Sequence, residues 1–430
     1  MNYLVIGGGI SGLDAARLLK QRKNNVILVD AKPLKEESLG FCQNNQISFF
    51  LQEEFDFNKI PIDKVILSPG VPLSLSIVKS AKALNIPIIA EIELALENFT
   101  GPIIAITGTN GKSTTVSMIH HIFNVLEIEN SLCGNIGITP SSLALEGKLK
   151  GILVLELSSY QLEHISSLPN DFACICSFSS DHLARHKTLD QYFLAKWKIF
   201  SWLKASGQAM ITPSVLTYAN NLGLSTPNNT VIIEKENWKK LKINETTTNM
   251  QGAHNLANAY VAVNACHALT GAPISTCINA LKNFRGLPHR LEVIAKYKTR
   301  CFINDSKATN IESTLVALNS QHKPVCLFLG GESKGNEFCD LLPYKHKIEK
   351  IIAFGSAKEQ IKNELSAYFQ MQLYDSLAEA CEDLKNIVKS SKGDLLLSPG
   401  CASFDEFKNF EERGSFFSAQ VHKQISNFIS

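Results

Sequence analysis

The sequence predicts an α/β protein of three domains, each built on a largely parallel sheet. Three observations point to this class. The 430 residues exceed what one hydrophobic core usually serves. Short apolar segments of strand length alternate with amphipathic helical patterns along the chain. Polar or glycine-rich turns follow several of these segments, as at the carboxyl ends of strands in open α/β sheets.

The order of these segments predicts where each domain lies. Residues 1–90 start with the strand Tyr3–Ile6 and read as a Rossmann-like doubly wound domain. Residues 91–286 form a central domain that opens on the strand Ile103–Ile106, and residues 287–430 form a third, Rossmann-like α/β domain. The segment Gly286–His289 is the predicted linker, because Gly and Pro break the preceding helix. The polar stretch 226–249 is predicted to be a hairpin or loop.

The composition excludes several classes of protein. A hydrophobic content of 45% with 19% charged residues describes a folded globular chain, and the net charge of +2 predicts no nucleic-acid or membrane partner. No apolar segment approaches the ~18 residues of a membrane span, and the chain opens on a strand rather than a signal peptide. The eleven scattered cysteines indicate a reducing, cytoplasmic setting. The pair Cys174 and Cys176 is interpreted as strand packing rather than a metal site.

The most informative segment is Thr107-Gly-Thr-Asn-Gly-Lys-Ser-Thr114, between a buried-type strand and a helical pattern. Backbone N–H groups and a helix N-terminus in that order cradle phosphate, Lys112 adds positive charge, and the Ser113 hydroxyl can hold Mg²⁺. Ile106 stands where the full Walker pattern has glycine, so the loop is a shorter relative of it. The alternative is a tight strand–helix turn with a solvated lysine.

A second glycine motif, Gly7-x-Gly9-x-x-Gly12, follows the first strand, and Asp30 ends the second. The spacing is that of a dinucleotide site, although the glycines specify only a turn that lets a diphosphate approach a helix N-terminus. A uridine diphosphate satisfies that geometry as well as NAD or FAD does. A turn without any ligand is the third interpretation. Ser68-Pro69-Gly70 forms another turn at the same predicted sheet edge.

Further polar residues follow strands of the central domain. Glu156 ends a strand, where a carboxylate can hold Mg²⁺, although the adjacent Ser158 and Ser159 also suit a helix cap. His182 lies in the polar segment Ser180–His186, which surface exposure explains equally well. From the residues alone, Lys196 reads as a lysine on the solvated face of an amphipathic helix.

Three polar loops follow strands of the third domain. They are Asn304–Asn310, Gly330–Lys334 and Ser398–Asp405. Loops at the carboxyl ends of parallel strands bind ligands in open α/β sheets, so these loops predict a ligand site. Asp305 could instead serve only as a helix cap.

Taken together, these motifs resemble the Mur ligase family, and the match runs over the whole chain. The motifs that carry the resemblance are GGGISG at Gly7, SPG at Ser68, TGTNGKST at Thr107, GNIG at Gly134, LELSSYQLE at Leu155, DHLARH at Asp181, HNLAN at His254, GLPHRLE at Gly286, NDSKATN at Asn304, LGGESK at Leu329 and SPGCASFDEFKNFEERG at Ser398. The motifs at Asn304 and Ser398 point to the glutamate-adding branch. Ala184 and Gly400 depart from the usual Asp and Ala.

The resemblance implies a role for many residues. ATP would be bound by Gly108, Thr109, Asn110, Gly111, Lys112, Ser113, Thr114, Asn258, Arg290 and Asp305. Two Mg²⁺ ions would be held by Ser113, Glu156, His182 and Lys196, the last as a carbamate, and the catalytic residues would be Lys112, His182 and Lys196. The UDP-sugar would be bound by Gly9, Ile10, Ser11, Asp30, Ser68, Gly70, Asn135, Ser158 and Gln161. D-Glutamate would be bound by Lys307, Thr309, Lys334, Ser403, Phe404 and Phe410.

The activity that the resemblance implies is ATP-dependent addition of D-glutamate to UDP-N-acetylmuramoyl-L-alanine through an acyl phosphate, in a monomeric cytoplasmic enzyme. The first domain would then hold UDP rather than NAD. Two rival classes are an NAD-linked dehydrogenase built on the Gly7 motif and another ATP-dependent ligase of the same fold. The dehydrogenase interpretation assigns no function to the Lys112 loop or to the third domain. The Asp-Asn-Pro-Arg motif of the diaminopimelate-adding ligases is absent from the sequence.

Overall fold

The computed structural model describes residues 1–181, 183–245, 252–333, 335 and 337–429. The chain divides into two compact units. The first comprises Met1–Asn249 with Asn255–Phe284, and the second comprises Met250–His254 with Arg285–Ser430. The first unit contains two sheets and the second contains one.

The N-terminal sheet of the first unit has five parallel strands in the order β3-β2-β1-β4-β5. This is the strand order of the dinucleotide-binding folds. The central strand β1 is almost wholly apolar and buried, as expected for a strand with helices on both faces of its sheet. The strands are β1 (Asn2–Ile6), β2 (Asn25–Asp30), β3 (Ser48–Leu51), β4 (Lys64–Leu67) and β5 (Ile88–Ala90).

The second sheet of this unit has six parallel strands in the order β11-β10-β9-β6-β8-β7. Strand β6 lies between β9 and β8, so the segments that follow these three strands emerge side by side at one edge of the sheet. The strands are β6 (Ile103–Thr107), β7 (Asn130–Gly134), β8 (Ile152–Glu156), β9 (Asn170–Ile175), β10 (Leu203–Ile211) and β11 (Thr230–Ile232).

The sheet of the second unit has the order β12-β13-β17-β14-β15-β16, with only β12 antiparallel to its neighbour. Apolar clusters cover both of its faces. The strands are β12 (Glu292–Tyr297), β13 (Arg300–Asn304), β14 (Val325–Gly330), β15 (Ile348–Phe354), β16 (Met371–Leu373) and β17 (Asp394–Gly400).

The helices alternate with the strands along the chain. Those of the first unit, including one that starts in the second, are Ile10–Gln21, Glu36–Asn44, Ser76–Ala83, Glu91–Ala95, Lys112–Val125, Pro140–Leu145, Ser159–His164, Leu183–His186, Leu189–Trp197, Pro213–Asn221, Lys235–Lys240, Ala253–Thr270 and Ile274–Ala280, with 3₁₀ turns at Lys198–Trp202 and Leu281–Asn283. Those of the second unit are Ile311–Asn319, Lys358–Leu365, Leu377–Glu382, Leu384–Ser390 and Phe410–Ile429, with a 3₁₀ segment at Phe338–Lys347.

The predicted α/β class with parallel sheets is confirmed. Of the hairpin or loop predicted for residues 226–249, the hairpin is wrong for the described part of the stretch, where a strand and a helix interrupt the loop. The described part of that stretch contains β11, which pairs in parallel with β10, and the helix Lys235–Lys240. The domain boundaries predicted at residues 90 and 286 stay predictions. Among the described residues, no helix combines the length and apolar character that a membrane crossing requires.

Candidate nucleotide and substrate sites

The loop after β6 takes the shape that its glycines allow. Gly108 and Gly111 have φ values of +149° and +86°, a region that side chains with a Cβ rarely adopt. A Cβ on Gly111 would lie 2.7 Å from the Asn258 amide oxygen. Asn258 also accepts a hydrogen bond from the Thr115 hydroxyl at 3.2 Å. The predicted nucleotide residue Asn258 therefore lies against the phosphate loop.

The segment after β9 fixes the other side of this loop. The Thr109 N–H donates to the Ser177 carbonyl at 3.0 Å, and the Asn110 N–H donates to the Ser177 hydroxyl at 2.8 Å. The Thr109 hydroxyl lies 3.2 Å from the Tyr192 hydroxyl. Ser113 and Thr114 are buried in the first turn of the following helix.

Two lysines donate to one carbonyl oxygen of the loop. Lys112 Nζ lies 2.7 Å from the Gly108 oxygen and 2.8 Å from that of Thr109. Lys196 Nζ lies 2.9 Å from the same Gly108 oxygen and 4.5 Å from the centre of the Tyr192 ring. Lys196 is only 1% exposed. The solvated helix face that the residues alone suggest for Lys196 is therefore wrong.

The surroundings of Lys196 disfavour its positive charge. Burial, and then the charge of Lys112, hold the pKa of the Lys196 amine well below its usual value. A lysine with a depressed pKa carries a neutral, nucleophilic amine at higher population than a solvated lysine does. The structure thus brings a buried amine with a lowered pKa to the phosphate loop.

Glu156 ends β8 at the same sheet edge and is 1% exposed. Its Oε1 accepts a hydrogen bond from the Asn135 amide at 2.8 Å, and the Asn135 N–H donates to the Glu156 carbonyl at 2.8 Å. Its Oε2 has no hydrogen-bond partner among the residues that the structure describes. A buried carboxylate oxygen with open lone pairs is a ligand type that Mg²⁺ prefers.

His182 lies outside the described residues. Within the described part of the chain, no group of three or more His, Cys, Asp or Glu side chains is arranged to hold a metal ion. Cys174 and Cys176 approach to 3.8 Å between sulfur atoms; Cys174 lies in β9 and Cys176 one residue beyond it.

Ser158 and Gln161 form a capping box at the helix Ser159–His164. The Ser158 hydroxyl accepts from the Gln161 N–H at 3.2 Å, while the Gln161 side-chain oxygen accepts from the Ser158 N–H at 2.9 Å. The helix-cap interpretation of Ser158 is therefore confirmed. Any contact of these residues with a sugar would be additional to this local role.

The first glycine motif forms a close turn against the neighbouring strand end. The Gly8 N–H donates to Asp30 Oδ2 at 2.6 Å, and the Ser68 hydroxyl donates to the Gly7 carbonyl at 2.9 Å. A Cβ on Gly12 would lie 1.8 Å from the Gly7 oxygen, so only glycine permits this approach.

The exposed end of this turn leaves space for a ligand. Gly9 and Ile10 are exposed at the N-terminus of the helix Ile10–Gln21, and Ser11 is half-buried in its first turn. A Cβ on Gly9 or on Gly70 would meet no atom within 4 Å. Exposed N–H groups at a helix N-terminus are suited to a diphosphate.

In the second unit, Asp305 follows β13 and lies deep in the structure. The Ser398 hydroxyl donates to its Oδ2 at 2.8 Å, and the Leu291 N–H donates to its Oδ1 at 3.2 Å. Burial raises the pKa of Asp305 to about 7, and the nearby charge of Arg290 opposes this shift. Arg290 and Asp305, both predicted at the nucleotide, therefore lie near one another.

Five of the six residues predicted at D-glutamate lie in the described part of the second unit, in the segments that follow β13 and β17 and at the start of the helix Phe410–Ile429. Lys307 Nζ lies 3.8 Å from the centre of the Phe410 ring, a cation–π contact. Ser403 is buried, and its carbonyl accepts from the Phe407 N–H at 2.8 Å. Phe404 is 65% exposed. The Thr309 N–H donates to the Lys307 carbonyl at 2.8 Å. The remaining predicted residue, Lys334, lies outside the described residues.

The sequence reasoning missed Arg413, which is fully buried and joins the segments that follow β13 and β17. Its Nε donates to the Ser306 hydroxyl at 3.0 Å, and one terminal nitrogen donates to the Ser306 carbonyl at 2.8 Å. The other donates to the carbonyls of Cys401 and Ala402, each at 3.1 Å. The available signal was that Arg413 stands in the motif at Ser398 that carries the family resemblance.

The parallel sheets, the phosphate-type loop with its lysines and the open carboxylate define a nucleotide-binding α/β enzyme. Residues 106–266 match the Mur ligase middle domain. A UDP-N-acetylmuramoylalanine–D-glutamate ligase from Alkaliphilus oremlandii is 33% identical, covering 97% of each chain. The protein of the same name from Caldanaerobacter subterraneus is 34% identical with the same coverage. The chain therefore belongs to the Mur ligase family.

Solved structures agree with the fold. MurF from Thermotoga maritima in complex with ADP aligns with a TM-score of 0.60 at 15% identity, covering 93% of this chain and 96% of that one. The UDP-N-acetylmuramate–alanine ligase MurC from the same organism gives a TM-score of 0.58 at 16% identity, covering 99% and 100%. At this identity the likeness establishes the fold alone.

Proposed function

We propose that this chain is an ATP-dependent ligase that joins D-glutamate to UDP-N-acetylmuramoyl-L-alanine in the synthesis of peptidoglycan precursors. The observation that carries the proposal is the near-full-length similarity to relatives that are named for this reaction, at 32–34% identity over 97–99% of the chain. We place the reaction in the cytoplasm and expect the chain to act as a monomer.

The N-terminal sheet binds the uridine diphosphate part of the acceptor in this proposal. The exposed N-terminus of the helix that begins at Ile10 supports it, because free N–H groups there attract a diphosphate. Both oxygens of Asp30 already accept backbone N–H groups, from Gly8 and Lys32. In this proposal Asp30 therefore stabilises the glycine turn that binds the diphosphate. The empty space at Gly9 and Gly70 admits a close approach.

ATP binds at the loop of Gly108–Thr114, with Lys112 turned from the loop carbonyls to the phosphate oxygens. Phosphoryl transfer needs position and positive charge more than covalent groups, which suits a loop of backbone donors and lysine. The open oxygen of Glu156 fits a metal ligand. Ser113 and Glu156 would hold one Mg²⁺, and His182 with carbamylated Lys196 the second. Bound Mg²⁺ would supply positive charge against the phosphates.

Carbamylation of Lys196 is supported by the state of its amine. An ammonium repels a metal cation, whereas a carbamate offers the hard oxygen ligands that Mg²⁺ prefers. Burial of Lys196 and the proximity of Lys112 favour the neutral amine, the form that can react with carbon dioxide. Reaction with CO₂ forms an N–C bond and releases one proton from nitrogen.

The reaction then proceeds in two steps. A carboxylate oxygen of the alanyl group attacks the γ-phosphorus of ATP, and ADP leaves. The amine of D-glutamate attacks the resulting acyl carbon, loses a proton, and expels phosphate to form the amide. The role of the second unit is to hold D-glutamate, with Lys307, Thr309, Lys334 and Ser403 as donors to its carboxylates and with Phe404 and Phe410 beside its methylenes.

A phosphate-release assay tests the proposed function. Purified protein with ATP and Mg²⁺ is given UDP-N-acetylmuramoyl-L-alanine and, in turn, D-glutamate, L-glutamate, L-lysine and meso-diaminopimelate. We expect phosphate release with D-glutamate at least about a hundredfold above the other amino acids. L-lysine lacks the second carboxylate, meso-diaminopimelate is longer and carries a second amine, and L-glutamate presents its groups in the opposite configuration. Release with UDP-N-acetylmuramate and L-alanine instead would indicate the alanine-adding reaction and contradict the proposal.

A further inference from the structure

We propose that Arg185 is a positioning residue that fixes the Gly70 turn relative to the central-domain helix that carries Gln161. The inference rests on the proposed function, because it assigns the Gly70 turn to the UDP end of the acceptor and Gln161 to its muramoyl end. Arg185 follows His182 by three residues in the sequence. The motif DHLARH at Asp181, taken alone, does not predict a positioning role for Arg185.

The guanidinium of Arg185 contacts the Gly70 turn through two backbone carbonyls. One terminal nitrogen donates to the Gly70 oxygen at 3.3 Å, and the other donates to the Val71 oxygen at 3.0 Å. These carbonyls are separated from Arg185 by more than a hundred residues and belong to the N-terminal sheet region. Arg185 thus connects the two sheets of the first unit at the predicted acceptor site.

The same guanidinium contacts the helix Ser159–His164. Its Nε and one terminal nitrogen donate to Glu163 Oε2 at 3.1 and 2.8 Å. That terminal nitrogen also lies 3.3 Å from His164 Nε2, and the guanidinium carbon lies 5.3 Å from the centre of the Tyr160 ring. The helix begins at the capping box of Ser158 and Gln161, two residues that we assign to the muramoyl part.

The setting makes these contacts stronger than a surface ion pair would be. The Arg185 side chain is only 14% exposed, and that of Glu163 is 28% exposed. Burial lowers the pKa of His164 to about 4, which favours a neutral imidazole beside the guanidinium, so no second positive charge opposes that of Arg185. Charge-assisted hydrogen bonds with little solvent access are among the stronger polar contacts in proteins.

The planar fork of arginine is required for this geometry. It offers five N–H donors in fixed directions, so one side chain can reach two carbonyls and a carboxylate together. Lysine keeps the charge but is a single point donor on a flexible chain. The acceptor spans the two elements that Arg185 joins. A change in their spacing would therefore weaken acceptor binding and misalign its carboxylate with ATP, without directly touching the phosphate loop.

The test is steady-state kinetics and calorimetry of Arg185→Lys in the full chain. We expect the KM and the calorimetric Kd for UDP-N-acetylmuramoyl-L-alanine to rise about ten- to a hundredfold, while the KM for ATP changes less than about threefold. Glu163→Gln should raise the same constants, and the double variant should be less impaired than the product of the single effects.

Arg22→Lys is the matched control. Arg22 also donates to a carbonyl and to a glutamate, those of Leu94 and Glu97, in the same unit. Its acceptor KM should stay within about twofold of the wild-type value. An unchanged acceptor KM in Arg185→Lys, or equal rises for acceptor and ATP with a lowered melting temperature, would overturn the proposal. Failure of the wild-type protein to use the acceptor would instead overturn the proposed function.

Discussion

The Gly108 carbonyl oxygen accepts hydrogen bonds from Lys112 and Lys196, and this shared acceptor brings two amines together at the phosphate loop. Two adjacent ammonium groups repel one another, and the more deeply buried amine loses its proton more readily. Lys196 is that amine, and its pKa is lowered by burial first and by Lys112 second. The arrangement is consistent with the proposal that Lys112 binds phosphate and that Lys196 is carbamylated.

Replacement of Lys196 by alanine tests the modification directly. In wild-type protein incubated with ¹³C-bicarbonate, we expect a carbamate carbon signal by NMR that is absent from Lys196→Ala. The variant should also lose at least about a hundredfold in phosphate release, since it would lack one of the proposed Mg²⁺ ligands. The control is Lys204→Ala, which removes a 44% exposed lysine paired with Asp171. An identical carbamate signal in wild type and Lys196→Ala would show that Lys196 is not modified.

Glu91 gives a prediction about pH and stability. It is 2% exposed, accepts the Ser141 N–H at 2.7 Å, and burial raises its pKa from 4.5 to about 7, with Asp14 adding to the shift. The folded state therefore binds the proton more tightly than the unfolded state, so stability is lost as the pH rises from about 4.5 through about 7. A shift of this size corresponds to about 3 kcal/mol.

Glu91→Gln removes this dependence while keeping an oxygen for the Ser141 N–H. Calorimetric melting at pH 5, 6, 7 and 8 should give the variant and the wild type similar melting temperatures at pH 5. The variant should melt at an increasingly higher temperature between pH 5 and pH 7, with little further difference at pH 8, because it never buries a charge. A difference between the two proteins that stays constant over this range would contradict the assigned titration of Glu91.

Local patterns could predict some of these residues and not others. Gly111 and Lys112 were recognisable because their chemistry depends on neighbours in the sequence. The burial of Lys196 depends on a loop 88 residues away, and that of Arg413 on a loop 107 residues away. Both residues look like surface positions in a helix until tertiary packing is known. Family resemblance supplied a role for Lys196, but neither it nor the pattern led us to a role for Arg413.

The glycines of the turn after β1 have different roles, one in forming the turn and another in leaving space for a ligand. Gly12 is needed for the turn itself, since its Cβ would collide with the Gly7 carbonyl, whereas the space around Gly9 is empty. Gly9→Ala should therefore leave the melting temperature within about 2 °C of the wild-type value. It should weaken binding of UDP-N-acetylmuramoyl-L-alanine about tenfold or more if the diphosphate passes over this residue. Calorimetric titration measures this binding.

Gly40→Ala is the matched control for this element. Gly40 lies within the helix Glu36–Asn44, and a Cβ there would also meet no atom within 4 Å. The change should keep acceptor binding and raise stability slightly, because alanine favours a helix by up to about 1 kcal/mol. Tight acceptor binding by Gly9→Ala would mean that the ligand does not approach this turn.

Strands were predictable from the sequence where both faces are buried. The apolar segments Tyr3–Ile6 of β1, Ile103–Ile106 of β6 and Leu395–Leu397 of β17 are bounded by turns or polar residues, and their positions inside parallel sheets explain them. The edge strands β11 and β16 have only three residues each, too few for a periodic pattern. The hairpin predicted near β11 was wrong because β11 pairs with β10, which ends more than a dozen residues earlier in the chain. A three-residue strand gives no periodic pattern that could reveal this partner.

At the scale of the whole molecule, the chain carries a phosphate loop and a glycine turn in its first unit and a separate set of strand-end loops in its second. An enzyme with one substrate needs fewer sites than this. In the proposed reaction there are three ligands, of which two carry phosphates and one carries two carboxylates, and each would occupy one of the three sets of residues. The fold class followed from alternation of strands and helices, whereas the identity of the ligands required the family resemblance.

The measurement that tests this account most directly is an isotope-transfer experiment on the complete reaction. The acceptor carboxylate of UDP-N-acetylmuramoyl-L-alanine is labelled with ¹⁸O, and the nucleotide product and phosphate are analysed by mass spectrometry after reaction with ATP and D-glutamate. The account predicts an acceptor extended by one glutamyl residue and one ¹⁸O atom in each phosphate released. Unlabelled phosphate, or no extended nucleotide with D-glutamate under conditions where ATP is consumed, would contradict it.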